Sequence, residues 1–589
     1  MTEAITYDFV AMPEEREGGC FILKCSPRLN DRVQLIPSAR YSKATDSWII
    51  PATLSAALIA RAVFGEALQP TGANYGWVAR LLELDRTFQV TDSAGPAPMF
   101  DTGRALPFQV PSIAAMAARG WVFQFDDRGN GKSVQTAIAL ENLKGPALIV
   151  CTASMLHVWG DELAAHAPTR TPYILSGTKP QRAKQLAAAR EDERAVVVCT
   201  WKVLTTHSRL KGYGSVKLTE AQSAPKELNG GWIQHVIADE AHKAKDPKAQ
   251  QTRALWAVGH EATGVRIPMT ATPIADSAAD LWALLHFVDP LSWPSRTKFR
   301  DRYVHTFMNG WGGVEDLGFN MNTKPELDRV VGPRVVRRPL QLEVKALPPQ
   351  VRWLDMPAKQ AKAYKAMKQE MMAEVEGGVL IAANALTRDM RLHQIAAATP
   401  EIEEFYDEEG RLRHKVARLL EPSCKYDALV DLLDEQGKDD PLVVFAESRK
   451  LIELCYRTLT GSEGGKVLIP QEQVGLITGS VSNEARAAHV RAYQGGEQRL
   501  MLATIGAGSE GLTLTRGNTL VFLQRSYREI ANIQAEGRVL RHGQERDVQV
   551  IDFVTRGTIE EDLHKATADK SRTMQQFLND PEWVERTLS

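Results

Sequence analysis

The sequence predicts an α/β protein: two lobes built on parallel sheets, helical insertions between them, and a small α+β module at the N-terminus. Two observations carry this expectation. Short apolar runs alternate with helical stretches in two separate blocks, as a parallel sheet covered on both faces requires. The chain has 589 residues, 44% of them hydrophobic, which suits roughly three or four domains at about 150 residues each.

The expected divisions follow the texture of the chain. Residues 1–95 form the first module, in which "GCFILKCS" and "DSWIIP" are expected as strands and "ATLSAALIARAVFG" as a helix. The block 96–290 alternates "WVFQF", "ALIVCT", "AVVVCT", "HVIAD" and "RIPMTA" with helices. The block 291–420 is expected to hold helical insertions and the connection between lobes, with "PAKQAKAYKAMKQEMMAEV" as a long helix. Strand runs return in 421–570 as "LVVFA", "QVGLIT", "RLMLAT", "TLVFLQ" and "VQVIDFV". Residues 571–589 are a tail.

Composition narrows the class. The formal net charge is −1, which neither demands nor forbids a nucleic-acid partner, since binding needs only a local basic track. The six cysteines form no C-x-x-C pair, so buried thiols in a reducing compartment are expected rather than disulfides or zinc. The acidic N-terminus has no apolar core, so no secretory signal is expected. No run of about 20 apolar residues suggests a membrane span.

Chemistry concentrates in four pieces. "FQFDDRGNGKSVQTAIAL" places a glycine-containing turn between a strand and a helix. Gly129, Gly131, Lys132 and Ser133 fit a phosphate loop: backbone N–H groups and the helix dipole attract phosphate, Lys132 reaches the β/γ-phosphates, and Ser133 holds Mg²⁺. The first glycine of G-x-x-x-x-G-K-[ST] would fall at Asp126. "HVIADEAH" ends a strand on Asp239, Glu240 and His242. There one carboxylate suits the Mg²⁺ shell and the next can orient or deprotonate an attacking water. "PMTATPI" puts the Thr270 and Thr272 hydroxyls at another strand end, where they can sense the γ-phosphate through those carboxylates. "QAEGRVLRHGQ" spaces Arg538 and Arg541 three apart, on one face if helical, as an arginine-finger pair. Alone, each piece also fits an ordinary strand–turn–helix, a polar strand end or a solvated basic face.

In this order the pieces resemble the superfamily 2 helicase-like ATPases, and the details resemble the Swi/Snf-type branch of double-stranded DNA translocases. That branch carries an Asp where the first P-loop glycine usually sits. "ALPFQ" looks like the Q motif, with Gln109 as adenine reader. "VVRRPLQLEVKALPPQ" looks like the branch's arginine pair and "LPP" segment, and "ATIGAGSEGLTLTRGNTLVFL" looks like its coupling motif. The resemblance covers about 100–570. It implies two RecA-like P-loop lobes and a DNA-dependent ATPase using ATP and Mg²⁺. The implied nucleotide-binding residues are Gln109, Gly129, Gly131, Lys132, Ser133 and Gln534, with Ser133 and Asp239 at the metal. The implied catalytic residues are Lys132, Asp239, Glu240, Arg538 and Arg541. His242, Thr270, Thr272, Thr504, Gly508 and Gly511 are implied in coupling and DNA contact.

The sequence departs from the branch at Thr152, where Pro is usual, and before Gln534, where no Trp-x-Pro stands. "QLIPSARYSKATDSWIIP" resembles the HARP-type module of annealing helicases, which implies binding to forked or branched DNA; the partner expected of the whole chain is DNA, duplex or forked. An RNA helicase, a non-hydrolysing ATP-switched clamp and a subunit serving a nuclease are the rival readings. The Ala- and Arg-rich composition points to a bacterial or phage source, and hence to the cytoplasm of a bacterial or infected cell.

Overall fold

The computed structural model describes residues 5–10, 19–70, 105–118, 120–214, 216–274, 277–308, 314–338, 344–376, 378–382, 385–406, 412–437, 440–508, 512–541 and 543–565. The chain divides into two compact units, with the boundary between Leu340 and Gln341.

The first unit is built on a seven-stranded parallel sheet. Its order is Val335–Val336, Phe123–Gln124, Arg266–Met269, His235–Asp239, Ala147–Cys151, Ala195–Thr200, Thr171–Ile174. The strands Ala147–Cys151 and His235–Asp239 are buried along their whole length. This explains their unbroken apolar sequence, since helices cover both faces. The order makes Phe123–Gln124, Arg266–Met269 and His235–Asp239 neighbours, so their carboxyl ends open side by side. Those ends are where parallel α/β sheets place their ligands.

The N-terminal module has a five-stranded sheet, Arg40–Ser42, Ser47–Pro51, Cys20–Lys24, Ile5–Val10 and Leu68–Pro70. Thr53 caps the helix Leu54–Phe64 by accepting from Ala56 N–H. The module does not stand apart. Its Phe21, Ile36, Ile59 and Phe64 belong to one continuous core with Phe123, Trp256, Trp282 and Leu327. Thr53 and Ser292 share a hydroxyl bond of 2.5 Å, and Lys298 Nζ donates to Ala39 O at 2.9 Å. Tyr41 and Trp48, from the HARP-like stretch, pack edge to face with centroids 5.5 Å apart.

The second unit has a six-stranded parallel sheet in the order Gln350–Leu354, Gln549–Thr555, Thr519–Phe522, Leu442–Ala446, Leu500–Thr504, Val474–Ile477. Apolar cores cover both of its faces. Ser448 caps the helix Arg449–Thr460, and Gly461 closes it in the left-handed region at φ 66°.

The block 291–420, expected to be helical, is mixed. It contains the hairpins Val304–Met308/Val314–Phe319, Met372–Val375/Gly378–Ile381 and Thr399–Tyr406/Leu412–Leu420. The long helix expected from Pro357 stops at Glu370, where Met371 turns left-handed at φ 57°. Strand pairing with "GVLI" takes over there from local helix propensity. The segment also lends one strand to each main sheet, Val335–Val336 to the first and Gln350–Leu354 to the second.

No disulfide joins the six cysteines, all of which are described. Among the described residues, no helix is long and apolar enough to cross a membrane.

Candidate active site

The loop after Phe123–Gln124 is shaped by two left-handed glycines, Gly129 at φ 88° and Gly131 at φ 73°. The left-handed backbone at Gly131 favours glycine, and a Cβ there would lie 2.6 Å from Gln109 Nε2 and push that amide aside. The helix Lys132–Glu141 starts immediately after it. Its first-turn N–H groups and Ser133 therefore face the loop, an arrangement suited to phosphate. Lys132 Nζ donates to the carbonyls of Asp126 at 2.9 Å and Asp127 at 3.2 Å. Burial lowers its pKa, and the carboxylates of Glu240, Asp126 and Asp239 oppose that shift.

Asp239 and Glu240 end the strand two places across the sheet. Asp239 is gripped by Trp159 Nε1 at 3.0 Å, its other oxygen accepts from Glu240 N–H at 2.9 Å, and Trp201 Nε1 donates to its carbonyl at 3.2 Å. Burial, then the neighbouring Glu240 charge, raises the Asp239 pKa. Glu240 sits left-handed at φ 50°, a strain of about 1–2 kcal/mol for a non-glycine residue. Burial pushes its pKa up, but His242, Arg128 and Lys132 outweigh it and hold the carboxylate ionised. His242 Nδ1 lies 3.2 Å from Glu240 Oε2 and 3.1 Å from Thr270 Oγ1, and Thr270 Oγ1 accepts from Thr272 N–H at 3.1 Å. One relay thus links Glu240, His242, Thr270 and Thr272.

Three hard oxygen or cation groups, Ser133, Asp239 and Lys132, together with the glycine-lined loop fit a magnesium nucleotide. Gln109 is buried, and both ends of its amide are engaged. Its Nε2 donates to Asn130 O at 3.0 Å and its Oε1 accepts from Leu106 N–H at 2.9 Å. It braces the phosphate loop in this structure.

In the second unit, Thr504 ends the strand Leu500–Thr504 and Gly508 ends the short helix Ile505–Gly508. Gly511 lies outside the described residues. Gln534 is on the helix Glu529–Glu536. Arg538 and Arg541 are not on a shared helical face, because that helix ends at Glu536 and turns follow. Gly537 is a poor helix former, and the Arg538 carbonyl is taken by Leu514 N–H at 2.9 Å. Arg538 Nε reaches back to Gln534 O at 3.2 Å. Arg541 Nη1 donates to Leu512 O at 3.1 Å and Thr513 Oγ1 at 3.0 Å, and burial lowers its pKa.

Sequence reasoning missed the two tryptophans on Asp239. Nothing in the spacing of Trp159 announces a carboxylate 80 residues later.

Two parallel-sheet lobes, the first carrying a P-loop beside an acidic strand end, define a RecA-like helicase class. The family model described as the SNF2-related domain matches residues 62–400, and the Helicase conserved C-terminal domain model matches residues 424–543. The chain belongs to the SNF2-related family. It is 25% identical over 474 residues to YwqA of Bacillus subtilis (strain 168), a candidate ATP-dependent helicase/translocase, covering 78% of this chain and 46% of that one. It is 23% identical over 511 residues to the ISWI chromatin-remodeling complex ATPase ISW1 of Saccharomyces cerevisiae, covering 81% of this chain and 41% of that one. The chain thus spans less than half the length of these relatives. A solved structure of the Sulfolobus solfataricus SWI2/SNF2 ATPase core in complex with dsDNA aligns at 18% identity and TM-score 0.35, covering 84% of this chain and 98% of that one.

Proposed function

We propose that the chain is an ATP-driven motor on DNA, a translocase that remodels duplex or forked DNA in bacterial or phage replication, recombination or repair. The observation that supports this reading most is the convergence at three neighbouring strand ends of the Gly129–Ser133 loop, the Asp239–Glu240 pair and the Thr270–Thr272 hydroxyls, in a chain of the SNF2-related family.

Each group has a role in that reading. The loop amides and Lys132 bind the triphosphate. Ser133 and Asp239 would hold Mg²⁺, which supplies charge neutralisation at the phosphate oxygens. Glu240, kept ionised by His242, orients the attacking water and takes its proton as the bond forms. The Thr270 and Thr272 hydroxyls pass the state of that carboxylate to the neighbouring loop. Arg538 and Arg541 serve catalysis, Gln534 serves nucleotide binding, and Thr504, Gly508 and Gly511 serve coupling and DNA contact. Grip on DNA phosphates makes binding salt-dependent and largely sequence-independent.

ATP hydrolysis by the purified chain tests this. No nucleic acid, single-stranded DNA, blunt duplex, forked DNA and RNA are compared, with Lys132→Ala as blank. Stimulation by duplex or forked DNA is expected. Stimulation by RNA alone would make it an RNA helicase. ATP binding without hydrolysis under any condition would make it a clamp.

A further inference from the structure

We infer that Arg338 is a positioning residue for the phosphate loop, acting by cancelling the charge of Asp126. The inference rests on the nucleotide reading of that loop.

Asp126 stands where an ordinary P-loop has its first glycine, and its side chain is fully buried, at 0% exposure. A buried carboxylate needs partners. Arg338 supplies two bonds, Nε to Oδ1 at 3.2 Å and Nη2 to Oδ2 at 2.8 Å. Gln135 Nε2 adds a third at 3.1 Å. Arg338 Nη2 also donates to Gln135 Oε1 at 2.9 Å and to Ser112 Oγ.

The same short segment holds the loop by its backbone. Phe125 N–H donates to Val336 O at 2.8 Å and Asp127 N–H to Arg338 O at 3.0 Å. Asn130 Nδ2 donates to the same Arg338 carbonyl at 2.9 Å. Arg337 Nη1 adds Phe125 O at 2.8 Å and Asp127 Oδ1 at 2.6 Å. Gln135 carries the network into the loop itself, donating to Asn130 O at 2.8 Å. The segment Val335–Arg338 therefore fixes both sides of the turn that presents Gly129 and Gly131.

Charge makes this more than a staple. The Asp126 carbonyl is a ligand of Lys132 Nζ, so its carboxylate lies one residue's breadth from the cation that would meet the triphosphate. Unpaired, it would repel phosphate and draw Lys132 away. Paired with Arg338, it holds the loop's shape with no net charge. A residue that only stabilised the fold would affect unfolding, and neutralising Asp126 would not restore nucleotide affinity.

ATP dissociation constants of the full chain, measured by titration calorimetry with Mg²⁺ present, test this alongside the unfolding midpoint. Arg338→Gln is expected to weaken ATP by about tenfold or more, the scale of a lost bond to a charged group. Arg338→Lys, which keeps charge but loses the two-pronged contact, is expected to lose about threefold. Adding Asp126→Asn to Arg338→Gln is expected to recover affinity to within about threefold of the parent chain. Arg338→Gln binding ATP within about twofold of the parent, or a double variant no tighter than the single one, overturns the inference. Should Arg338→Gln fail to fold, Arg338→Lys decides, and unchanged affinity there overturns it. An unmutated chain that binds no ATP, or Lys132→Ala binding as tightly as the parent, refutes the nucleotide reading itself and removes this inference with it.

Discussion

In the first unit, Lys132, Asp239 and Glu240 gather at open strand ends, and the Glu240 side chain keeps 29% of its surface. In the second unit, Lys425 and Glu560 meet at 2.6 Å with side-chain exposures of 0% and 6%. Lys425 also donates to Phe553 O at 2.6 Å, and Glu560 accepts from Thr555 N–H at 3.0 Å and Gln524 Nε2 at 3.3 Å. Burial pushes the Glu560 pKa up, but Lys425 and His393 more than reverse it. Beside it, Arg525 bridges Asp552 at 2.7 Å and Glu536 at 2.9 Å. In the second cluster the charged groups Lys425, Glu560 and Arg525 bond to oppositely charged partners and to the backbone; the first leaves Glu240 and Ser133 partly open. Buried charge that is fully satisfied ties the chain together, whereas charge left partly open awaits a ligand.

The sharpest way to break this contrast is Lys132→Ala. Turnover is expected to fall by about a hundredfold or more, with little change in the urea midpoint; a large stability loss with activity retained would erase the distinction. Glu240→Gln is expected to lower turnover by about a hundredfold while ATP binding persists, as seen by calorimetry. Turnover at the parent rate would remove Glu240 from the water-activating role.

The second cluster should behave in reverse. Lys425→Met leaves Glu560 buried without its cation and is expected to cost about 3–5 kcal/mol of stability, most of it regained in Lys425→Met/Glu560→Leu. Denaturant melts of the three chains decide this.

The smallest expected effect concerns acid. Burial lowers the pKa of His286 to about 4 and of His260 to about 3, and both lie in the first unit. His260 Nε2 meets His286 O at 2.9 Å, and His286 Nδ1 meets Trp293 O at 2.8 Å. With folded values below the unfolded value of 6.5, the unfolded state binds protons first. Stability therefore falls as pH drops below about 6.5, by about 2 kcal/mol per histidine by pH 5. His286→Gln should flatten that slope, measured as the urea midpoint at neutral and mildly acid pH.

The two parallel sheets were legible in the sequence because buried strands leave unbroken apolar runs such as "ALIVC" and "LVVFA". The phosphate loop, the acidic strand end and the threonine pair were legible as short motifs. What escaped depends on contacts distant in the chain. Asp126 was noticed as a missing glycine and Arg338 as one of an arginine pair, yet no spacing links residues 212 apart. The shared helical face that the spacing of Arg538 and Arg541 would allow does not form, because the helix ends at Glu536 and the Arg538 carbonyl bonds to Leu514 N–H. The strands within 291–420 were hidden because their partners, as with Gln350–Leu354 and Gln549–Thr555, lie far along the chain or sit in weakly patterned hairpins.

The shared core of the N-terminal module limits where this chain can be shortened. A cut near residue 95 would strip Phe64 and Ile59 from a surface that also holds Trp282 and Leu327, leaving a greasy scar on the first lobe. Truncated protein should therefore precipitate or bind a hydrophobic dye rather than report a lost DNA preference. Point changes on the module's outer face, at exposed residues such as Tyr41 and Arg40, are the cleaner way to ask what it touches.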